Sequence, residues 1–350
     1  MSDEIKYEDE KCRRFNESLD EEGDVNIANI SFSRSRILFE MDFETYKQAL
    51  YEFLEQDYED LKQIIFDYYP ACIAYNFRLS ERGEGSTDPV RKLLHLKDSW
   101  ESVIFVLYAL VMGEVRRKGV DLKTTQIFVS YDAGGNPIFS SFNSDKVLSD
   151  ALKQKLQNIK AIVQHVKNRA IGFKCAEIEL NLFDDLLQLQ EIRNDLSHHT
   201  VPTREQAETE LKTVLLLFRE MLTKTRFLEN CKMLRFDNYS SDCRCETFNG
   251  HSLNREYDNF SFTEPHKSYV IGLGQEQIFV LWDNECFSLS PFLHFDKDAT
   301  GHESYICAYK GKRQGKYWYE PVKIRTEKTF DHLQPSFNTE KDEIIKLVVP

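Results

Sequence analysis

The sequence contains no apolar run long enough to cross a bilayer. Its longest run, Val103 to Met112, has about ten residues, whereas a membrane-spanning helix needs about 20. The start of the chain is acidic and polar, where a secretory signal has a basic end and an apolar stretch. We therefore expect a cytoplasmic protein without membrane contacts.

Cysteine is also sparse, with eight residues in a chain of 350. This low density indicates reduced thiols rather than a disulfide framework. Cys231, Cys243, Cys245 and His251 have the side chains of a tetrahedral zinc site, but a CxC pair with a distant histidine lacks the paired CxxC spacing of common structural sites. The sequence leaves zinc binding at these residues open, and we expect neither a metal nor a cofactor.

Positive charge is scarce too, since the formal net charge is -13. Affinity for phosphate comes from clustered Lys and Arg, so the composition argues against a general nucleic-acid coat. The exception is 151–175, which has six basic residues and no acidic one. There Lys153, Lys160 and Lys167 recur every seven residues on a predicted helix. This stripe is either a solvated helix face or a surface that follows an RNA backbone.

Several catalytic motifs are absent as well. The chain has no GxGxxG, GxxxxGK[ST], HExxH or GxSxG sequence, which excludes the nucleotide-binding, zinc-protease and serine-hydrolase sites that depend on them. What the chain does have is 41% hydrophobic and 13% aromatic residues. At this length, such a composition predicts a sizeable core divided between two domains.

The first 28 residues are predicted to be a disordered acidic tail. Residues 1–25 contain ten acidic and four basic side chains and little that can be buried. A helical domain is predicted to follow over 29–230. Its helices are indicated by apolar periodicity from Phe43 to Tyr68, by the N-cap Asp88 before Pro89, and by a capping-box pattern at Thr203 and Gln206.

The other elements of this domain follow from composition. RLSERGEGST is predicted to be a polar loop, and IFVSYDAGGNPIFSSF a short hairpin inserted between helices. The remaining helices are predicted over about 145–169 and 176–199, while the three already mentioned cover about 42–69, 89–117 and 204–227.

The residue pattern changes over 231–350, where short apolar-aromatic runs alternate with residues typical of turns. SYVIGLG, QIFVLWD, CFSLSPFL, SYICAYK and KYWYEPVKIR are predicted to be strands of a small antiparallel sheet. KGKRQGK is predicted to be a hairpin turn before a packed aromatic strand, although Tyr317, Trp318 and Tyr319 offer base stacking as an alternative. The predicted fold class is α+β, a helical bundle with an inserted hairpin followed by a β-rich domain.

One constellation combines residues suited to acid–base chemistry, in EIRNDLSHH. At about 100° per residue, Leu182, Leu186, Leu189 and Arg193 lie in one stripe of a helix. A guanidinium on an apolar face is costly unless it is paired. Arg193 is therefore expected to have a carboxylate partner, an anionic ligand or a subunit interface.

Asn194 and His198 lie one turn apart on a neighbouring face, and His199 follows where the helix must end before Pro202. Together with Arg193, they resemble the motif of the HEPN family of helical-bundle proteins, whose ribonucleases carry an Arg, four to six residues and then a His. This resemblance covers 40–230 in architecture and only these residues in motif.

The resemblance implies an endoribonuclease that cuts RNA without a metal, as a homodimer that joins two motifs into one site. His198 or His199 would transfer protons, Arg193 would hold the phosphate, Asn194 would orient either group, and a 2',3'-cyclic phosphate would result. The lysine stripe would follow the RNA. Family members of this kind act as toxins or in antiviral defence, with a protein or ligand trigger here expected at the C-terminal domain.

A different hypothesis is a catalytically inactive module that dimerises or holds a partner protein. In that case Arg193 would pair with Asp184, Asp185 or Glu191, and the histidines would only end the helix. Family members that are targets of nucleotidyl transfer carry a tyrosine two residues after the His, where this chain has Thr200. Regulation of that kind is therefore not expected.

Overall fold

A computed structural model describes residues 5–27, 30–132, 134–168, 172–197, 202–273, 275, 277–321, 323 and 326–348. Of Glu10, Ile27 and 194–197 it describes the backbone alone. The chain forms two compact units, 1–63 and 64–350. This division differs from the predicted domains 29–230 and 231–350, because the helices and sheets expected in separate domains pack within the second unit.

The described residues form helices and antiparallel strands, numbered here in chain order. The helices are α1 Glu10–Asp20, α2 Arg34–Met41, α3 Phe43–Tyr68, α4 Ala71–Arg82, α5 Pro89–Lys118, α6 Ser144–Val147, α7 Leu152–Lys167, α8 Leu180–Ser197, α9 Arg204–Lys224, α10 His266–Leu273 and α11 Gln334–Val348. The strands are β1 Val25–Ile27, β2 Ile30–Phe32, β3 Gln126–Tyr131, β4 Pro137–Ser141, β5 Cys231–Tyr239, β6 Cys243–Thr247, β7 Glu256–Phe260, β8 Ile278–Trp282, β9 Glu285–Ser288, β10 Leu293–Lys297, β11 Ser304–Arg313, β12 Lys316–Pro321 and β13 Lys328–Thr329.

The first unit has a core of its own, which includes residues from the segment predicted to be disordered. Ile5, Cys12 and Phe15 are buried against Tyr46 and Leu50. The hydroxyl of Tyr46 also donates to Oδ1 of Asn16 over 2.7 Å. Composition alone did not reveal the helix in this segment. The few apolar residues of α1 fall on one side of the helix, where they meet the apolar side of α3.

In the second unit, α5 is the central helix of a bundle with α4, α7, α8 and α9. It begins as the sequence indicates, since the side chain of Asp88 accepts from the backbone N–H of Val90 and Pro89 occupies the first turn. It ends at Gly119, which adopts the left-handed conformation with a φ of 63°. Its buried positions run almost without a break from Ser99 to Val115, which explains why its middle is apolar on every side.

Two antiparallel sheets follow the bundle in the chain. The first has the order β7-β6-β5-β8-β9 and the second β10-β11-β12-β13, while β3 and β4 form the separate predicted hairpin. Helix α5 packs against β9, β10 and α11. Gly113 makes this contact possible, because a Cβ there would lie 2.6 Å from the carbonyl oxygen of Ser288. The fold class is therefore α+β, as predicted.

Several helices differ from the sequence-based assignments, and α4, α10 and α11 illustrate how. Residues 268–273 of SYVIGLG belong to α10 and not to a strand, because Val270 packs in a core with Phe279 of β8. Residues 78–82 of the predicted polar loop continue α4, whose Phe77 and Ser80 are buried. Helix α11 lies in a stretch for which no helix was predicted. Helix α10 has only eight residues, which carry too few periodic positions to outweigh its strand-like composition.

Within the described ranges, no helix is both long enough and apolar enough to cross a membrane.

Candidate functional site

The site motif lies at the C-terminal end of α8. Leu182, Leu186 and Leu189 are fully buried in the bundle, as the predicted stripe requires. Helix α9 then begins with a complete capping box, in which Thr203 Oγ1 accepts from the N–H of Gln206 and Gln206 Oε1 accepts from the N–H of Thr203 over 2.8 Å. This cap confirms the predicted start of α9 and fixes the far end of the connection that contains the histidines.

Arg193 has a carboxylate partner, as expected for a guanidinium on an apolar stripe. Its Nε donates to Oε1 of Glu101 in α5 over 2.9 Å. The side chain of Arg193 is 33% exposed and that of Glu101 is 7% exposed. One end of the pair is therefore inside the bundle, while the guanidinium reaches the surface.

Arg193 is paired with a carboxylate that was not among those considered from the sequence. Asp184 is paired with Lys160, and Asp185 accepts from Lys224 Nζ over 2.6 Å. Glu101 was missed because it lies 92 residues away in the chain. The available signal was its position next to Trp100 in the apolar middle of α5, where an acidic residue requires a partner.

The remaining motif residues cannot be compared with their predicted positions. Asn194 belongs to the last turn of α8, but its side chain lies outside the described residues, as do His198, His199 and Thr200. Their predicted roles therefore stay predictions. The structure fixes the two ends between which they lie, Ser197 of α8 and the N-cap Thr203.

The lysine stripe is only partly available for an anionic ligand. Lys153 and Lys167 are exposed on α7, but Lys160 is ion-paired with Asp184 of α8. A fourth lysine of the same helix, Lys155, is buried and faces the rings of Tyr108 and Tyr309. Burial lowers the pKa of Lys155 to about 7. The seven-residue spacing therefore places the three lysines of the stripe on one side of α7. Contacts with other helices decide which of them are exposed.

The proposed zinc ligands are not brought together. Cys231, Cys243 and Cys245 are free, buried thiols, the last two in the core against α10. His251 Nδ1 instead lies 2.8 Å from the carbonyl oxygen of Phe66. Across the described ranges, no group of three or more His, Cys, Asp or Glu side chains is arranged to hold a metal ion.

The aromatic residues near KGKRQGK mainly serve the core. Strands β11 and β12 form the predicted hairpin around this turn. Tyr317 and Tyr319 are buried, and the hydroxyl of Tyr319 donates to the carbonyl oxygen of Pro291 over 2.5 Å. These two rings are therefore not available for stacking on bases, which leaves the packed aromatic strand as the correct alternative.

Comparisons of the chain with protein-family models, curated proteins and solved structures find no significant match. The likeness to the HEPN family consequently depends on the motif and its helical setting. Evidence about the function of this protein therefore comes from its own residues.

Proposed function

We propose that this protein is a metal-independent endoribonuclease of the HEPN type, with Arg193 and His198 as its reactive pair. The observation that carries the proposal is the position of Arg193. It lies near the end of a bundle helix, is held by a buried carboxylate, and keeps a third of its side chain exposed. His198 follows five residues later in the sequence.

The residue types suit cleavage by the 2'-hydroxyl of the ribose. His198 would take the hydroxyl proton as the 2'-oxygen attacks phosphorus, and a protonated histidine would donate to the departing 5'-oxygen. Arg193 would stabilise the negative charge that develops on the phosphate oxygens. The products are a 2',3'-cyclic phosphate and a 5'-hydroxyl. Asn194 would orient the histidine or the phosphate, and His199 is the alternative proton carrier.

Glu101 would be a positioning residue in this mechanism. A guanidinium offers five N–H donors in a fixed plane, so the bond from Nε to Glu101 sets the orientation of that plane. A homodimer would place two such motifs at one phosphate. Lys153 and Lys167 would contact the RNA backbone beyond the cut, and the C-terminal sheets would receive a trigger. A role as a toxin or in antiviral defence follows from the family likeness alone.

The second candidate is a catalytically inactive module that dimerises or holds a partner protein. The ion pair with Glu101 favours it, since an internally paired Arg193 is what that hypothesis expects. The two candidate functions differ in the position that they require of a histidine. Only the enzyme requires a histidine beside the exposed side of Arg193.

The deciding experiment is cleavage of total cellular RNA by the purified protein in EDTA, with mapping of the product ends. We expect the wild type to leave 2',3'-cyclic phosphates, and His198→Ala to cut at least about a hundredfold more slowly, the usual contribution of acid–base catalysis. His332→Ala is the matched control, because His332 is an exposed histidine of the C-terminal part. It should cut like the wild type.

Each outcome separates the candidates. Equal cutting by wild type and His198→Ala would reject the assigned site, and His199→Ala would then show whether the neighbouring histidine does the chemistry. No cutting by any variant, also when the protein is expressed in growing cells, would support the inactive module. Cutting that disappears in EDTA would contradict a metal-independent mechanism.

A further inference from the structure

A cavity of about 530 Å³ lies where the C-terminal end of α5 meets α10 and α11. Its lining includes Arg116, Arg117, Tyr269, Gln277, Glu340 and Glu343. Pockets that bind small molecules span roughly 300–1,000 Å³ and have a few convergent polar groups. Size and lining are therefore those of a small-ligand site, in a part of the chain that the proposed nuclease chemistry does not use.

Glu340 lines this cavity, and one of its two carboxyl oxygens has no hydrogen-bond partner among the described residues. Glu340 is 6% exposed, and its Oε1 accepts from the amide of Gln277. Its Oε2 is buried and has no hydrogen-bond partner within the described ranges. A buried polar atom without a partner is unfavourable and is rare in folded proteins. This oxygen therefore has unused hydrogen-bonding capacity in a residue that lines the cavity.

Glu340 is also a carboxyl that accepts a proton near neutrality. Burial raises its pKa to about 7, and the charge of Glu343 acts in the same direction, whereas Arg116 opposes the shift. Arg117 and Tyr269 line the same cavity, and the charge of Glu340 also acts on Tyr317 and Tyr319 of β12. In its protonated form Glu340 can donate a hydrogen bond through Oε2.

The two arginines give the cavity its charge. Arg116 is mostly buried and lies at the outer limit of an ion pair, with Nη1 3.9 Å from Oε1 of Glu340 and Nε 4.0 Å from Oε2 of Glu343. Nη1 also donates to the carbonyl oxygen of Ser290 over 2.7 Å. These contacts hold Arg116 in place, and its charge makes the electrostatic potential in the cavity more positive.

Arg117 is exposed and makes a cation–π contact with an aromatic ring. Its guanidinium carbon is 4.1 Å from the ring centroid of Tyr269, whose hydroxyl accepts from the N–H of Ser288. No carboxylate of the described residues lies within 4.0 Å of it, although acidic residues outnumber basic ones by 58 to 45. A guanidinium that contacts a ring and lines a cavity suits an anion with several oxygens.

We propose that this cavity binds a phosphomonoester of mononucleotide size. Arg117 pairs with the phosphate, Arg116 adds positive charge behind it, and protonated Glu340 donates to a phosphate oxygen through Oε2. Ser336 and Thr339 of α11 also line the cavity, and their hydroxyls would contact the rest of the ligand. With Glu340 neutral, two arginines face one carboxylate, so the cavity favours an anion over a cation.

This site is distinct from that of Arg193. Glu101 and Arg116 both lie on α5, 15 residues apart, or roughly 22 Å at 1.5 Å per residue. The proposal holds whether or not the chain cuts RNA, and its test uses binding alone.

The test is calorimetric titration of the full chain with inorganic phosphate, ribose 5-phosphate and the four nucleoside 5'-monophosphates, at pH 6 and pH 8. Arg117→Ala should weaken binding at least about tenfold, the usual range for a lost charge-assisted hydrogen bond. Arg91→Ala is the matched control, because Arg91 is an exposed arginine near the other end of α5. It should bind like the wild type.

Glu340→Gln isolates the role of the carboxyl, since the amide keeps both an acceptor for Gln277 and a donor at the position of Oε2. The ligand titrates in this pH range too, so the informative quantity is the ratio of wild-type to Glu340→Gln affinity. With a pKa of about 7, this ratio should fall up to about tenfold between pH 6 and pH 8.

Tighter binding of nucleotides than of inorganic phosphate would support an organic phosphomonoester, and equal binding would support free phosphate in the same cavity. Three results would overturn the proposal: no binding of any of these probes at millimolar concentration, binding that Arg117→Ala leaves unchanged, or an affinity ratio that rises from pH 6 to pH 8. The last result would show that Glu340 accepts a hydrogen bond from its ligand.

Discussion

The guanidinium of Arg193 in α8 donates from Nε to Oε1 of Glu101 in α5, over 2.9 Å. This bond joins the end of the motif helix to the central helix of the bundle. Arg193 is therefore part of the packing of the bundle, whatever it does to a phosphate. A loss of activity in Arg193→Ala would not by itself identify a catalytic residue, because the variant also removes a partner from a buried carboxylate.

Arg193→Ala is expected to lower the free energy of unfolding by about 1–3 kcal/mol. Removing one member of a buried ion pair costs roughly 3–5 kcal/mol, and the partial exposure of Arg193 reduces this. Adding Glu101→Gln should recover part of the loss, because the buried charge is then absent. Urea denaturation of the single and double variants measures this coupling. Arg91→Ala, which breaks an exposed pair with Glu84, should change stability by less than about 0.5 kcal/mol. Strictly additive effects would argue against the pair.

The exposed lysines of α7 should matter for RNA binding more than Lys160. Replacing Lys153 and Lys167 together by Gln should weaken RNA binding. It should also make the slope of log K against log salt concentration shallower by about 0.7 for each lost phosphate contact. Lys160→Gln should have less effect, since Asp184 already neutralises that lysine. The measurement is RNA binding at several salt concentrations in a His198→Ala background, where RNA is expected to stay intact.

Lys297→Gln is the control for these variants, because Lys297 is an exposed lysine of β10. The same loss in this variant, or a larger loss in Lys160→Gln than in the double variant, would contradict an RNA-binding surface at Lys153 and Lys167.

Gly113→Ala should destabilise the protein, although Ala in a helix is normally favoured over Gly by about 1 kcal/mol. An added Cβ would lie 2.6 Å from the carbonyl oxygen of Ser288 and 2.9 Å from the ring of Phe287. Overpacking of this kind typically costs about 1–3 kcal/mol. Gly272→Ala in α10 is the control, because no neighbouring atom lies within 4 Å of its added Cβ. Thermal and urea denaturation compare the two. A more stable Gly113→Ala would mean that α5 does not approach β9 so closely.

The stability of the protein should depend on pH through Glu340. Its pKa rises from 4.5 in the unfolded chain to about 7 in the folded one, so the folded state binds more protons between these values and stability falls as pH rises through them. The full effect is about 3 kcal/mol. Glu340→Gln should therefore gain stability relative to wild type from pH 5 to pH 8. Glu256→Gln is the control, since Glu256 is exposed on β7 and does not line this cavity. A constant difference between Glu340→Gln and wild type would rule out the raised pKa.

Local signals predicted the elements that they specify directly. The apolar period from Phe43 to Tyr68 corresponds to α3, and the N-caps Asp88 and Thr203 start α5 and α9 where predicted. Each depends on neighbouring residues in the chain, so tertiary contacts are not needed to recognise it. SYVIGLG shows the converse, because its aromatic and β-branched composition predicts a strand and the packing of Val270 against the sheet holds it as a helix.

The sequence by itself determined the α+β class, the motif Arg193-Asn194-Asp195-Leu196-Ser197-His198, and the requirement that Arg193 have a partner. Only the tertiary structure decided that this partner is Glu101, that Lys160 is engaged while Lys153 and Lys167 are exposed, and that Glu340 shares a cavity with Arg117. The physical reason is distance along the chain. Helix period, caps and charge density act over a few residues, whereas ion pairs and cavities join residues that are tens to hundreds of positions apart.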